Sequence, residues 1–248
     1  MAGHSKWAQI KHKKAATDAK RGKQFTKLAR AITVAAREGG GDPTGNATLA
    51  TAIQKARDYS MPKDNIQRAV DRGTGEGGSG EAIERVVYEG YGPGGAAILV
   101  EALTDNRNRT SAEVRHAFEK NGGSLGEPGS VAWIFDKRGV ILVDADRYSE
   151  DDLIPAIDAG AQEVSEDGDL LKVVSGPTDL AAVRGALEDA GVEIESAELA
   201  MEPRTTVEVG GSDAGGLVRL MEALDEHDDV DSVQANFDIP AELLEQAA

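Results

Sequence analysis

The chain has 248 residues, no cysteine and a formal net charge of −17 at pH 7. The lack of cysteine excludes disulfides, thiolate metal sites and cysteine nucleophiles. No apolar run approaches the ~20 residues of a membrane span, and the N-terminus lacks the apolar core of a secretory signal. We therefore expect a cytoplasmic protein, and the length favours two or three domains.

The chain opens on a basic segment, "MAGHSKWAQIKHKKAATDAKRGKQF", although the whole is acidic. Its first 40 residues hold ten Lys and Arg against two acidic residues, a local charge of +8, so the other 208 residues carry −25. A solvated helix face would explain a charge run, but solubility alone does not require such segregation. Clustered cations that neutralise phosphates are typical of nucleic-acid binding, and an aromatic ring among them can stack on a base. The predicted nucleic-acid-binding residues are Lys6, Trp7, Lys11, Lys13, Lys14, Lys20, Arg21, Lys23, Lys27 and Arg30.

Three helices are predicted between residues 24 and 72. Apolar residues from Phe25 to Ala36 recur at helical spacing, and "GGGDP" ends this first helix. A second helix is centred on Ile53, and "SMPKDNIQRAVDRG" forms a third, with Pro62 near its first turn and Gly73 just past its end. Together with the basic segment, residues 1–75 form the predicted basic helical domain.

Beyond a Gly-rich linker, "GTGEGGSGE", the apolar period changes from helix to strand. We predict strands at "ERVVYE", "AAILVEAL" and "SVAWIF", and a helix opened by a capping box at Thr110–Glu113. From residue 139 the order βαββαβ is that of a ferredoxin-like domain, and a last βαβ unit follows. The early strands lack partners, so the chain should return to complete their domain. The predicted fold class is α+β, with domains at 1–75, at 76–137 with 204–240, and an inserted ferredoxin-like domain at 138–203.

Sequence motifs for catalysis are weak. Two stretches match G-x-G-x-x-G, but neither lies between a strand and a helix, so we interpret them as linker and hairpin loop. The four histidines are too scattered for a zinc set, and acidic runs such as "DEHDDVD" are interpreted as solvated carboxylates. We predict no enzyme activity, no cofactor, no metal and no small-molecule substrate.

The loop "TDNRNRT" (residues 104–110) is a second candidate site. Arg107 and Arg109 lie beside a predicted helix N-terminus, where they could hold a phosphate or a partner's carboxylate. Pairing of these arginines with local acids is an equally good interpretation.

The blocks "MAGHSKWAQIKHKKAATDAKRGKQFTKLARAITVAAREGGGDP", "MPKDNIQRAV", "YEGYGPGGAAILVEALTDNRNRTSAEVRHAF" and "GSVAWIF" closely resemble the YebC/PmpR family. The resemblance implies three domains around a cleft, with no enzyme activity or cofactor. It implies a probable DNA-binding transcriptional regulator in the cytoplasm. Mitochondrial relatives are translational activators of cytochrome c oxidase, and bacterial members have been linked to ribosomes stalled on proline-rich sequence.

Nothing in the residues decides between DNA and ribosomal RNA. A helix that presents only Lys and Arg contacts phosphates rather than bases, and a basic tail suits folded RNA at least as well as DNA. A hypothesis of another class is a protein-interaction module, in which the acidic domains bind a basic partner such as a ribosomal protein.

Overall fold

The structure, a computed structural model, describes residues 18–76 and 83–240. Its first part is a three-helix unit made of α1 (Asp18–Gly39), α2 (Ala47–Asp58) and α3 (Lys63–Thr74). The apolar positions that predicted these helices form one buried cluster, because their spacing places them on the inner face of each helix. The cluster contains Leu28, Ile32, Ala35, Ala36, Leu49, Ile53, Ala56, Met61, Ile66, Ala69 and Val70.

Helix α3 extends beyond its predicted end. It follows Pro62 and ends at Gly75, whose φ of +87° favours glycine. Gly73, predicted to lie past the end, is inside the helix, where a Cβ would lie 2.5 Å from the Thr33 carbonyl oxygen. This glycine therefore allows α1 and α3 to cross closely. The predicted linker begins correspondingly later, and residues 77–82 lie outside the described part of the chain.

Residues 83–240 alternate strands and helices. The first segment contains β1 (Glu84–Tyr91), β2 (Ala97–Thr104), α4 (Arg107–Lys120) and β3 (Ser124–Leu125). The second contains β4 (Phe135–Asp144), α5 (Ile154–Asp158), β5 (Ala161–Asp167), β6 (Leu170–Ser175), α6 (Leu180–Asp189) and β7 (Ile194–Pro203). The third contains β8 (Val207–Glu208), α7 (Gly211–Asp225), β9 (Val230–Ala235) and β10 (Phe237–Asp238). None of the helices in the two described stretches is long and apolar enough to cross a membrane.

The first four-stranded sheet has the order β3-β1-β2-β9, and all neighbouring strands are antiparallel. Strands β1 and β2 form a hairpin, so the second Gly-rich match is the hairpin loop that was predicted. Strand β9 pairs with β2 after a long excursion, which confirms that the chain returns to complete this sheet. Helices α4 and α7 cover one face, where Val114, Phe118, Leu217 and Met221 are fully buried.

The second four-stranded sheet has the order β5-β6-β4-β7 and is antiparallel throughout. This is the predicted ferredoxin-like arrangement, and α5 and α6 pack against its apolar residues, among them Ile141, Val143 and Val173. The predicted α+β fold class is confirmed, with a helical N-terminal unit followed by two sheet units. The residue boundaries of the three domains stay predictions.

Two predicted elements are wrong in detail. Most of "SVAWIF" is not a strand: residues Ala132–Ile134 form a 3-10 turn, and β4 begins only at Phe135. Helix α4 begins at Arg107 rather than after Thr110, because the Asn106 side chain accepts a hydrogen bond from the Arg109 amide (3.1 Å) and so caps the helix earlier.

Candidate nucleic-acid interface

The predicted nucleic-acid-binding residues fall into three groups. Five lie outside the described residues: Lys6, Trp7, Lys11, Lys13 and Lys14. Two lie at the beginning of α1: Lys20 and Arg21. Three follow on the same helix, where spacings of four and three residues place them on one face: Lys23, Lys27 and Arg30.

All three cations of this face contact the α7–β9 loop, which we define as residues 225–229. Nζ of Lys27 donates to the carbonyl oxygen of Asp225 (2.6 Å). Nζ of Lys23 pairs with the Asp228 carboxylate (2.8 Å) and also donates to a carbonyl of the loop. These carbonyls end α7, where the helix dipole is negative. The three side chains are therefore bound to the protein's own acidic loop, and Lys27 is half-buried.

Arg30 reaches the most highly connected carboxylate of this junction, that of Asp229. Its guanidinium donates to Asp229 Oδ1 (2.7 Å), while Asp229 Oδ2 accepts from Arg109 (2.6 Å), Thr110 (2.7 Å) and Thr104 (3.2 Å). Only 3% of the Asp229 side chain is exposed. One buried carboxylate thus joins α1 of the helical unit to β2 and α4 of the sheet unit.

The ionisation of Asp229 follows from these contacts. Burial alone would raise its pKa, but the hydrogen bonds from Arg109 and Thr110 and the charges of Arg30 and Arg109 lower the pKa to about 2. Asp229 is therefore charged at neutral pH. The interpretation of "DEHDDVD" as solvated carboxylates is wrong for this residue, because tertiary contacts bury it.

The second predicted site, the loop of residues 104–110, binds a carboxylate of its own chain. Arg109 pairs with Asp229 and with Asp105 (2.9 Å). Arg107 is exposed, and its carbonyl accepts a long hydrogen bond from the Tyr88 hydroxyl (3.4 Å). Within residues 18–76 and 83–240, Arg107 has no ion-pair partner.

Glu113, His227 and Asp229 place three potential metal ligands close together. The Asp229 amide donates to Nδ1 of His227 (3.1 Å), so Nε2 carries the proton of the neutral ring and faces Glu113 (2.8 Å). Asp229 is already held by two guanidinium groups. Because the donor atoms are engaged and two cations are adjacent, this group does not fit a metal site.

The sequence interpretation missed a groove between α1 and α3. This groove of about 690 Å³ is lined by Arg30 of α1, by Asn65, Arg68 and Arg72 of α3, and by Asp105. Arg68 and Arg72 are four residues apart and exposed, so they share the outer face of α3. The only signal in the sequence was the spacing of the arginines in "KDNIQRAVDR".

Several exposed cations of the helical unit form no ion pair with another described residue. Arg57, Lys63 and Arg72 have no ion-pair partner among the residues that the structure describes. Arg68 bonds only to uncharged oxygens of its own helix, the Asp64 carbonyl (3.1 Å) and the Asn65 side chain. These side chains differ from Lys23, Lys27 and Arg30, because phosphates can reach them without displacing an acidic group.

Charge is segregated between the two parts of the chain. Residues 1–76 contain 15 Lys and Arg against 7 Asp and Glu, whereas residues 83–240 contain 12 against 34. A polyanion is therefore attracted to the helical unit and repelled by the sheet units.

The helical unit also contacts the inserted sheet unit. Lys55 of α2 pairs with Glu198 of β7 (2.5 Å), and Arg184 of α6 pairs with Asp58 of α2 (2.8 Å). Burial would lower the pKa of Lys55, but Glu198 and the nearby Asp231 raise it, so the amine stays charged. These pairs bind α2 to the inserted sheet unit and do not involve the groove-lining arginines.

Comparison with known proteins gives a consistent family. Residues 5–76 match the domain described as the TACO1/YebC protein N-terminal domain, and residues 83–237 match the TACO1/YebC second and third domain. A probable transcriptional regulatory protein of Rubrobacter xylanophilus is 55% identical over the full length of both chains. One of the same name from Desulfotalea psychrophila is also 55% identical over both full lengths. The crystal structure of a conserved hypothetical protein from Aquifex aeolicus is 48% identical, with a TM-score of 0.86, and the match covers 96% of this chain and 98% of that one.

Proposed function

The chain belongs to the TACO1/YebC family, and we propose that it is a non-enzymatic cytoplasmic regulator of gene expression that binds nucleic acid through its basic helical unit, residues 1–76. No cofactor, small-molecule substrate or membrane is part of this proposal. The relatives carry the name probable transcriptional regulatory protein, which makes DNA the first candidate target.

One observation carries the proposal: four cations of α2 and α3 are exposed and have no carboxylate partner among the described residues, on the part of the chain with a positive balance. They are Arg57, Lys63, Arg68 and Arg72. Phosphate contacts from such side chains release counterions and supply most of the affinity for nucleic acid. The groove between α1 and α3 places Arg68 and Arg72 side by side, which suits consecutive phosphates. The N-terminal lysines, Lys6, Lys11, Lys13, Lys14 and Lys20, add five positive charges to the same part of the sequence.

The direct test measures binding of a fluorescent 20-base-pair DNA to the full chain by anisotropy across a salt series. The double variant Arg68→Glu/Arg72→Glu should bind at least about tenfold more weakly, and its log–log salt slope should fall by about two units, roughly one for each lost phosphate contact. The matched control is Arg115→Glu/Arg219→Glu, which reverses two exposed arginines of the acidic part. Equal losses in both variants, or a salt-independent affinity of the wild type, would refute the proposal.

A second candidate target is ribosomal RNA. The amide side chains of α3 that could contact bases are already bonded within the helix: Gln67 donates to Asp71 (2.7 Å), and Asn65 accepts from Arg68. The free groups are therefore phosphate-binding ones, which recognise backbone shape rather than sequence. Sedimentation of lysate through sucrose, with and without nuclease treatment, distinguishes the candidates by whether the protein travels with ribosomes or with DNA.

A further inference from the structure

The largest exposed hydrophobic side chain of the described residues is that of Trp133, in the turn before β4. Of this side chain, 68% is accessible to solvent. Tyr91, at the end of β1, is 39% exposed. Both residues lie outside the basic helical unit, and neither contributes to the hydrophobic cores. An exposed aromatic ring can serve as a platform on which a base stacks.

A buried carboxylate holds the turn that carries Trp133. Glu89 is 7% exposed and accepts hydrogen bonds from the amides of Gly129 (2.6 Å), Val131 (2.7 Å) and Ala132 (2.7 Å). Burial raises the pKa of Glu89, but these three amides outweigh it and lower the pKa, so the carboxylate stays ionised. Val131 before the turn and Phe135 after it are buried against the sheet. The backbone under Trp133 is therefore fixed before any ligand arrives.

The polar atoms of both rings are satisfied inside the protein. Nε1 of Trp133 and the hydroxyl of Tyr91 each donate a hydrogen bond to the carbonyl oxygen of Ser130, and each donor–acceptor distance is 3.1 Å. The Ser130 carbonyl oxygen thus accepts hydrogen bonds from both side chains and fixes the orientation of each ring. What remains for a ligand is aromatic surface, which binds by stacking and not by hydrogen bonding.

Cationic side chains flank the turn. The Arg204 amide donates to the Ile134 carbonyl (2.8 Å), and the Arg204 side chain is 60% exposed. Asp136 lies between Arg204 (2.6 Å) and Arg138 (3.4 Å), so two guanidinium groups share one carboxylate. Lys137 is exposed and has no ion-pair partner in the described part of the chain.

The site lies on the sheet face that is turned toward the helical unit. Alternate residues of β1 share a face, so Tyr91 lies on the same face as Arg85, whose guanidinium contacts Glu38 of α1 (3.8 Å). Six residues of strand separate the two positions, about 20 Å. A nucleic-acid strand bound to the helical unit therefore has only about 20 Å to span before it reaches Tyr91.

We propose that Trp133, supported by Tyr91, is a stacking site for an unpaired base of the bound nucleic acid, with Arg204 beside the turn contacting an adjoining phosphate. This inference rests on the proposed function and makes it more specific. Aromatic side chains beside cations are the usual platform for single strands, since every base has a π face. Bases inside a duplex are stacked on each other and cannot reach the indole. The site therefore selects single-stranded or looped nucleic acid over a regular duplex.

The test uses a fluorescein-labelled 12-nucleotide oligo(U), and the same strand annealed to its complement, with the full chain. Trp133→Ala should weaken oligo(U) binding about tenfold, because stacking on one base is commonly worth such a factor. Trp133→Phe should retain most of the affinity, and the duplex should bind both variants as it binds the wild type. Ile154→Ala, which truncates another exposed apolar side chain (51% exposed), is the matched control and should change nothing.

A second measurement reports on the contact itself. In the Trp7→Phe background, Trp133 is the only tryptophan, and its fluorescence should be quenched on titration with oligo(U). Equal oligo(U) affinities of the wild type and Trp133→Ala, together with unquenched emission, would overturn the stacking site. The proposed function would still stand if the wild type bound nucleic acid with a salt-dependent affinity. If the wild type binds neither oligo(U) nor duplex at low salt, the proposed function and this inference both fail.

Discussion

Arg30 on α1 donates a 2.7 Å hydrogen bond to the buried carboxylate of Asp229, which follows 199 residues later in the chain. The same carboxylate accepts hydrogen bonds from Arg109 and two threonines. Helix α1, which the sequence predicts to bind nucleic acid, therefore also connects the helical unit to the sheet unit. The two roles divide the cations of residues 1–76 into those that hold the units together and those that remain free for phosphate.

Asp229→Ala should destabilise the protein by about 3 kcal/mol, because it removes the buried partner of two arginines and two hydroxyl groups. The free energy of unfolding is measured by urea denaturation, followed by far-UV circular dichroism. Asp158→Ala, an exposed aspartate at the end of α5, is the control and should cost less than about 0.5 kcal/mol. A cost no larger than that of the control would mean that the junction contributes nothing to stability.

Acid should weaken the same junction. The folded pKa of Asp229, about 2, lies below the ordinary aspartate value of about 3.9, so its stabilising contribution is present above pH 4 and is lost as pH falls from about 4 toward 2. Other carboxylates titrate in this range, so the informative quantity is the difference between wild type and Asp229→Asn. We expect the two urea midpoints to converge as pH decreases. A constant difference between pH 5 and pH 2.5 would contradict the assignment.

The α7–β9 loop should compete with nucleic acid for the basic face of α1. The Asp228 side chain is 73% exposed and pairs with Lys23, which lowers the pKa of Asp228 and keeps it charged. Asp228→Asn should free Lys23 and strengthen oligonucleotide binding about two- to threefold at low salt, an effect that salt should remove. Asp213→Asn, another exposed aspartate on α7, is the control for the change of net charge. Equal gains from both variants would show a general charge effect instead of local competition.

These contacts also change how the N-terminal lysines should be tested. Reversing Lys23 and Lys27 removes contacts with the loop, so a loss of binding would combine two causes. Reversal of Lys11, Lys13 and Lys14 leaves those described contacts in place. We expect that triple variant to lose salt-dependent nucleic-acid binding with an unchanged urea midpoint.

The sequence predicted the helices and the ferredoxin-like order well, because both depend on local apolar periodicity. It failed at "SVAWIF", whose run of apolar, β-branched and aromatic residues is typical of a strand. Glu89, about 40 residues earlier, takes the amides of Gly129, Val131 and Ala132, so those amides cannot join a strand ladder. The Asp229 joint was missed for the same physical reason, since a run of acidic residues gives no sign of which carboxylate tertiary structure will bury.

Glu89→Gln should show how much this carboxylate contributes to the stability of the protein and to the position of the turn that carries Trp133. The amide presents an NH₂ group to backbone donors and leaves at least one of them without an acceptor, so we expect a loss of about 2 kcal/mol in unfolding free energy. In the Trp7→Phe background, the emission of Trp133 should also change, because the turn beneath it loses its anchor. Glu84→Gln, exposed on the same strand, is the matched control. Unchanged stability and emission would contradict the role of Glu89 in holding the turn.

Deletion of residues 2–20 distinguishes the two candidate targets most sharply. The segment contains Lys6, Lys11, Lys13, Lys14 and Lys20, and Trp7, but none of the three cations that contact the α7–β9 loop. The described core should therefore tolerate the deletion, and the urea midpoint checks this. If the target is ribosomal RNA, the basic segment supplies phosphate and stacking contacts, so the wild type should restore synthesis of a reporter with a run of prolines and the deletion should not. The cells are a strain that lacks the protein, and promoter occupancy is measured in parallel by crosslinking. A deletion that restores the reporter fully yet loses promoter occupancy contradicts the ribosomal candidate and supports DNA.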